Sequence, residues 1–240
     1  MSTATRTDDL GVVLELRTSG GEPPLFCIHP GFALCWAYAV LLRSLGRDLP
    51  VYGIQARGIA GDEQLPATFD DLTTDYLELI SAIQPRGPYR LLGWSFGGLA
   101  AHALATALQA RGERVELLAM MDTILASDFE LSSVEQRDQV EREFAAVRDI
   151  VPDPDRLLAV VHNLNVIRAQ FSPSRFEGDV LLFTAAHEAP RATPIAQSWL
   201  PHVTGRTIEH RIACDHLTMM TARPAADIGR IITATLRGDP

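Results

Sequence analysis

The segment Gly93-Trp94-Ser95-Phe96-Gly97-Gly98 has the clearest chemical potential in this sequence. It carries the pattern Gly-x-Ser-x-Gly between a short apolar run, Tyr89–Leu92, and a small-residue helical stretch, Phe96–Ala110. A serine hydroxyl is a weak nucleophile until a neighbouring base takes its proton. A sharp strand-to-helix turn helps by lifting that hydroxyl above the sheet edge. Such a turn has no room for a Cβ on either side, which suits Gly93 and Gly97. The helix that opens beside Ser95 points backbone N–H groups at the reacting centre, so Phe96 N–H is a candidate oxyanion donor. A phosphate-binding loop would need a Gly-Lys-Ser/Thr ending, and this one has none. The bland alternative, an incidental serine in a glycine-rich turn, is disfavoured by the flanking elements and by Gly98.

A second oxyanion donor is expected from a loop after an earlier strand. His29-Pro30-Gly31-Phe32 follows the apolar run Leu25–Ile28, and Gly31 N–H is the choice, with Phe32 N–H the neighbour left open. His29 itself reads as a loop-ordering residue. Of the seven histidines, His216 is the candidate base, because it follows the last expected strand and a loop there can hang over Ser95. His102, two turns along the helix from Ser95, should be packed or half-exposed. His162 lies in an insertion, while His187, His202 and His210 flank or lie in strands. The acid is Asp122 or Glu188. Asp122 directly follows the apolar run Val115–Met121, at the active-site edge of a parallel sheet, and is preferred, although it also suits a helix cap. Glu188 follows the next strand. Asp215, adjacent to His216, would point elsewhere.

The elements that must position these groups alternate between strand and helix. Val12–Arg17 reads as an edge strand, and Leu25–Ile28 and Val51–Ile54 read as buried strands. Trp36–Leu45 has helical spacing. Thr68 is an N-cap, with Asp71 in the first turn, for a helix whose stripe is Phe69, Leu72, Tyr76, Leu79, Ile80 and Ile83. Asp179–Thr184 and Thr207–Ala213 are further strands, and Arg223–Leu236 is a closing helix. This order predicts an α/β fold with a mostly parallel sheet covered on both faces. Residues 126–175 break the rhythm. They read as helical throughout, as Val134–Ile150 and Asp155–Phe171, and suggest a lid inserted at one end of the sheet.

The 240 residues, 47% of them hydrophobic, suffice for one large core and a single domain spanning 1–240, with residues 1–10 as a linker or tail. A formal charge of −9 argues against a nucleic-acid partner. The three cysteines, Cys27, Cys35 and Cys214, form neither a disulfide framework nor a metal motif. With no signal peptide and no apolar run long enough for a membrane span, the expectation is a cytoplasmic, monomeric domain without metal.

Taken together, these residues resemble the chain-terminating thioesterase domains of nonribosomal peptide synthetases, members of the α/β-hydrolase superfamily. The likeness spans nearly the whole chain. It rests on Phe26-Cys27-Ile28-His29-Pro30-Gly31 with Trp36, Val51-Tyr52-Gly53-Ile54-Gln55, and Gly87 through Gly98. Met121-Asp122-Thr123 and Cys214-Asp215-His216 with Met219 complete it. The elbow differs from the Gly-His-Ser-Met-Gly usual in separate proofreading thioesterases. The His29-Pro30-Gly31 loop departs from the Ala-Ser-Gly common among relatives, which leaves the second oxyanion donor open by one residue. The resemblance implies a Ser95–His216–Asp122 triad and a helical lid after the acid. It also implies a peptide substrate presented as a thioester on the phosphopantetheine arm of a carrier protein, with no cofactor bound by the domain itself. The short polar N-terminus fits an excised C-terminal domain. Lid side chains such as Phe144, Leu164 and Phe171 could shape product choice, although core packing is the simpler role. Two other readings stand beside this one: an esterase or editing thioesterase acting on small acyl groups, and an inactive hydrolase fold used for binding.

Overall fold

The computed structural model describes residues 10–125, 145, 147–148, 151–188 and 193–238. The expected helix Val134–Ile150 therefore lies almost wholly outside the described residues. The strands are β1 (Val13–Arg17), β2 (Leu25–Ile28), β3 (Val51–Ile54), β4 (Tyr89–Trp94), β5 (Val115–Met121), β6 (Val180–Ala185) and β7 (Thr207–Ile212). The helices are α1 (Phe69–Ile83), α2 (Phe96–Ala110), α3 (Pro154–Arg168), α4 (Ile195–Trp199) and α5 (Ala222–Arg237).

The seven strands form one sheet in the order β1-β3-β2-β4-β5-β6-β7. Only β1, at the edge, runs antiparallel to its neighbour. Every residue of β2, β4 and β6 is buried. This is why those runs are mostly apolar and do not alternate, with Arg90 in β4 and Thr184 in β6 as polar exceptions: a parallel strand covered on both faces has no solvent side. At the β1 edge a bulge falls between Glu15 and Arg17. There the Arg17 guanidinium caps the carbonyls of Leu49, Leu42 and Gly46 at 2.8, 3.3 and 2.6 Å.

α1 begins at a capping box, with Thr68 and Asp71 each accepting from the other's backbone N–H at 3.0 Å. Such a cap is worth about 1 kcal/mol. The helix buries Phe69, Leu72, Tyr76 and Ile80 as the stripe predicts. Leu77 is buried with them, whereas Leu79 is only partly covered. The segment Trp36–Arg43 is helical but wound as 3-10 turns. It has no side-chain N-cap, and it is held by burial of Tyr38 and Leu41 and by packing against α5. β6 starts one residue later than expected because the Asp179 carboxylate accepts from Arg206 N–H at 2.7 Å. β7 ends at Ile212, where Cys214 N–H turns back onto the Ile212 carbonyl at 2.8 Å.

Charge at the amino-terminal end of the sheet is paired. Arg90, 6% exposed, bonds Glu22 at 2.8 Å and Glu116 at 2.7 Å. Among the described residues, no helix is long and apolar enough to cross a membrane, and no cluster of His, Cys, Asp and Glu could hold a metal. All three cysteines are buried and free.

His102 is fully buried on α2, its ring 4.9 Å from that of Trp199. Burial holds its pKa down at about 4, and does the same for His29. In the unfolded chain both regain a value near 6.5. Between those values the unfolded chain binds protons that the folded one refuses. Stability therefore falls as pH drops from about 6.5 to about 4. The His102→Phe variant should show a shallower decline of urea midpoint across that window than the parent protein. Equal slopes would mean that His102 does not titrate as its burial dictates.

Candidate active site

β4 ends at Trp94 and α2 begins at Phe96, so Ser95 alone makes the turn, with φ 56° and ψ −117°. Close approach on three sides enforces this. A Cβ on Gly93 would overlap the Gly97 carbonyl, and one on Gly97 would overlap the backbone of Ile28 and His29. Gly98 lies so tightly against Thr123 that a Cβ there would overlap the Thr123 side chain. Ser95 N–H donates to the Met121 carbonyl at 2.8 Å, which fixes the bend to the end of β5. Tyr38 steadies the other side. Its hydroxyl donates to the Ile28 carbonyl at 2.8 Å and accepts from Trp94 N–H at 2.9 Å, continuing the β2–β4 ladder one step beyond the strands.

Asp122 follows β5 directly, with a positive φ of 44° and 1% exposure. One carboxylate oxygen accepts from Ala185 N–H at 3.0 Å. The other lies 2.6 Å from His216 Nδ1. A carboxylate at that distance fixes the proton on Nδ1 and leaves Nε2 as the basic nitrogen. The His216 ring also lies 5.7 Å from that of Trp94, the residue before Ser95. The chain thus brings Asp122 and His216 into direct contact and sets the imidazole against the segment that carries Ser95.

Glu188, the other candidate acid, is not bonded to the imidazole. Its carboxylate accepts from His216 backbone N–H at 2.7 Å, so it holds the loop from which the ring hangs. Asp215 precedes the short turn His216–Thr218, its backbone carbonyl accepting from Thr218 N–H at 3.1 Å. Burial, helped by Asp122, Asp215 and Glu188 nearby, pushes the Cys214 thiol up to about 11. Cys214 therefore stays protonated and is no rival nucleophile.

His29 is fully buried. Its Nδ1–H donates to the Pro30 carbonyl at 2.8 Å, its Nε2 accepts from Tyr76 Oη at 2.6 Å, and its ring stacks on Phe96 at 5.5 Å. It orders the loop and is neutral. In that loop Ala33 adopts φ 72° and donates to the Pro30 carbonyl at 2.9 Å. Among the described residues, neither Gly31 N–H nor Phe32 N–H is engaged by a backbone carbonyl. The loop lies against α2, whose first residue is Phe96.

Ala33, Ser95 and Asp122 are the non-glycine residues with positive φ among those described. They sit after β2, β4 and β5, three adjacent strands of the sheet. Strained backbone gathers where the surrounding packing over-determines it, and that is characteristic of functional sites.

From the insertion, α3 is tied to the loop that precedes α1. Arg156 donates to the carbonyls of Gly58 and Glu63, both at 2.7 Å, and Asn163 donates to the Pro66 carbonyl at 3.0 Å. Leu164 is buried in the core, Phe171 is partly buried against it with its ring 4.6 Å from that of Phe69 and tilted by 44°, and Phe144 lies outside the described residues. Phe69 in turn touches Phe96 at 5.6 Å, which links the insertion to the elbow through rings. Sequence reasoning missed the Tyr38 bridge, the Trp94 contact with His216 and the work of Glu188. A tyrosine inside an otherwise apolar helical run was the one available sign of the first.

The family described as "Thioesterase domain" matches residues 23–235. The chain is 38% identical over 245 residues to malpibaldin synthetase of Mortierella alpina, covering 98% of this chain and 4% of that protein. It is 37% identical over 258 residues to the dimodular nonribosomal peptide synthase of Bacillus subtilis, covering 95% of this chain and 11% of that protein. The chain therefore spans only a small part of these relatives. Among solved structures, the NocB thioesterase domain in covalent complex with a fluorophosphonate nocardicin G analog superposes with a TM-score of 0.78 at 24% identity. That match covers 94% of this chain and 100% of the other.

The Glu188 contact yields a local prediction. In Glu188→Ala the His216 amide loses a charge-assisted acceptor and should exchange its hydrogen roughly tenfold faster, while the amides of β6 keep their rates. Unchanged exchange at His216 would show that Glu188 does not hold this loop.

Proposed function

This chain belongs to the thioesterase domain family, and from that premise we propose that it releases a peptidyl chain from a carrier protein through a covalent ester on Ser95. The observation that carries the proposal is the 2.6 Å contact between His216 Nδ1 and the Asp122 carboxylate, with the His216 ring 5.7 Å from that of Trp94, the residue before Ser95 on its strained bend. The chain is homologous to the thioesterase regions of nonribosomal peptide synthetases. On this reading, the substrate is a peptide thioester on a phosphopantetheine arm, and the partner is the carrier protein that bears it.

In the first half-reaction, Ser95 Oγ attacks the thioester carbonyl as its proton passes to His216 Nε2. Asp122 keeps the imidazole in the required tautomer and stabilises the imidazolium. The carbonyl oxygen becomes an oxyanion facing Phe96 N–H and Gly31 N–H, and each such donor is worth about 3 kcal/mol in the transition state. The intermediate collapses, the C–S bond breaks, and the thiol leaves with the proton from His216. A peptidyl ester remains on Ser95. His216 then deprotonates water, giving a free acid, or a nucleophile within the peptide, giving a ring. Residues 126–175 are assigned as the cover over this site, with α3 as its anchored part. A cover that excludes water would favour cyclisation over hydrolysis.

The test is intact-mass analysis after brief mixing with a peptidyl thioester. The parent protein should gain the mass of the acyl group on Ser95, and Ser95→Ala should gain nothing and lose turnover by about 10⁴-fold or more. Undiminished turnover in Ser95→Ala would refute the covalent route.

A further inference from the structure

We propose that Trp94 is a positioning residue for the His216 base, its indole face supporting the imidazolium that forms as Ser95 loses its proton. This rests on the Ser95–His216–Asp122 reading above and adds a fourth residue to it.

Trp94 closes β4 and is 3% exposed. Its ring is wedged between two loops. Phe32, from the loop carrying the candidate oxyanion amides, meets it edge-on at 5.5 Å and 77°. On the other contact, the His216 ring lies 5.7 Å away, tilted by 46°. The backbone is pinned as well, since Trp94 N–H donates to Tyr38 Oη at 2.9 Å. The indole is thus a fixed slab, not a side chain free to follow its neighbours.

Its polar atom shows that packing alone does not explain the residue. Among the described residues the buried indole N–H has no hydrogen-bond partner. A buried donor left unsatisfied costs stability, and tryptophan is normally placed where that N–H can be met. Phenylalanine would bring an aromatic ring into the apolar slot without stranding a donor. What tryptophan adds is the largest and most electron-rich face among the side chains, and a cation within about 6 Å of its centroid is attracted to it. The imidazolium of His216 is such a cation, and it exists only once the serine proton has been transferred.

Among the described residues, other groups also lie around His216. The Asp122 carboxylate takes Nδ1–H, and the Glu188 carboxylate takes the backbone N–H. The Asp215 backbone carbonyl accepts from Thr218 N–H at 3.1 Å, its carboxylate is a nearby negative charge, and Cys214 carries a protonated thiol. Trp94 is uncharged, so it acts on the imidazolium through its ring. Loss of that support makes the ring harder to protonate, which moves the acid limb of the pH–rate profile to lower pH. A residue that merely kept water off the imidazole would do the reverse, because rehydration favours the charged form.

The experiment follows the rate of Ser95 modification by an alkyl fluorophosphonate between pH 5 and 9, on the full 240-residue chain, read by intact mass. In Trp94→Leu the midpoint of the acid limb should fall by about 0.5–1 pH unit, and the plateau rate by roughly 3–10-fold. Trp94→Phe, which keeps an aromatic face, should fall between this variant and the parent, without a lower melting temperature. If Trp94→Leu fails to fold, Trp94→Phe alone decides, by the same downward shift of its midpoint. A midpoint that stays put or moves up, with the parent still labelled on Ser95, overturns the role of Trp94 and leaves the triad standing. A parent protein unlabelled at Ser95 removes the triad reading and this proposal with it.

Discussion

The contact between Asp122 and His216 is the constraint around which the site is built. It joins residues 94 positions apart in sequence at 2.6 Å, and both must arrive at the same edge of the sheet. Parallel strands make this possible, since β4, β5 and β6 all release their chains at one end. Asp122 N–H continues the ladder onto Phe183 at 2.7 Å, while its carboxylate reaches Ala185 N–H and the imidazole. An aspartate with positive φ is an uncommon but tolerated conformation, and here it turns the carboxylate back over the strand ends. The loop after β7 is tied down independently, because His187 N–H donates to the Cys214 carbonyl at 3.1 Å.

Packing under the site has no slack. The glycines of the elbow are contact surfaces as much as turn-formers: Gly97 lies against the backbone at the end of β2, and Gly98 against Thr123, which follows the acid. Ser95, the loop after β2 and Asp122 thus share one set of close contacts, and a displacement of any of them is felt by the others. The aromatic series Phe171–Phe69–Phe96–His29 extends this rigidity from the insertion to the loop after β2. On the proposed reading this rigidity would preorganise the oxyanion donors, which help only if they need not move when charge develops.

Much of this was legible in the sequence, for identifiable reasons. Apolar runs such as Leu25–Ile28 and, broken only by Glu116, Val115–Met121 have one physical explanation in a chain of alternating helices, and they became central parallel strands. The elbow glycines and the Thr68 cap announced themselves because so few residue types fit those positions. Other features had no such signature. Alanine does not advertise the left-handed conformation found at Ala33. Glu188 and Asp122 both follow strands at the same edge, and position in the sequence favoured Asp122 without excluding Glu188. Only the coordinates put Asp122 on the ring and Glu188 on the backbone of His216. The choice between 3-10 and α winding for Trp36–Arg43 likewise depends on tertiary packing, which periodicity does not record.

Single-turnover acylation of Ser95 in Asp122→Asn bears most directly on the Asp122–His216 pairing. An amide at that position no longer selects the tautomer that leaves Nε2 basic and no longer offsets the imidazolium charge. The acylation rate should drop by about 10⁴-fold in a protein whose melting behaviour shows it to be folded. Acylation within about tenfold of the parent would contradict the assignment of Asp122 as the partner of the base.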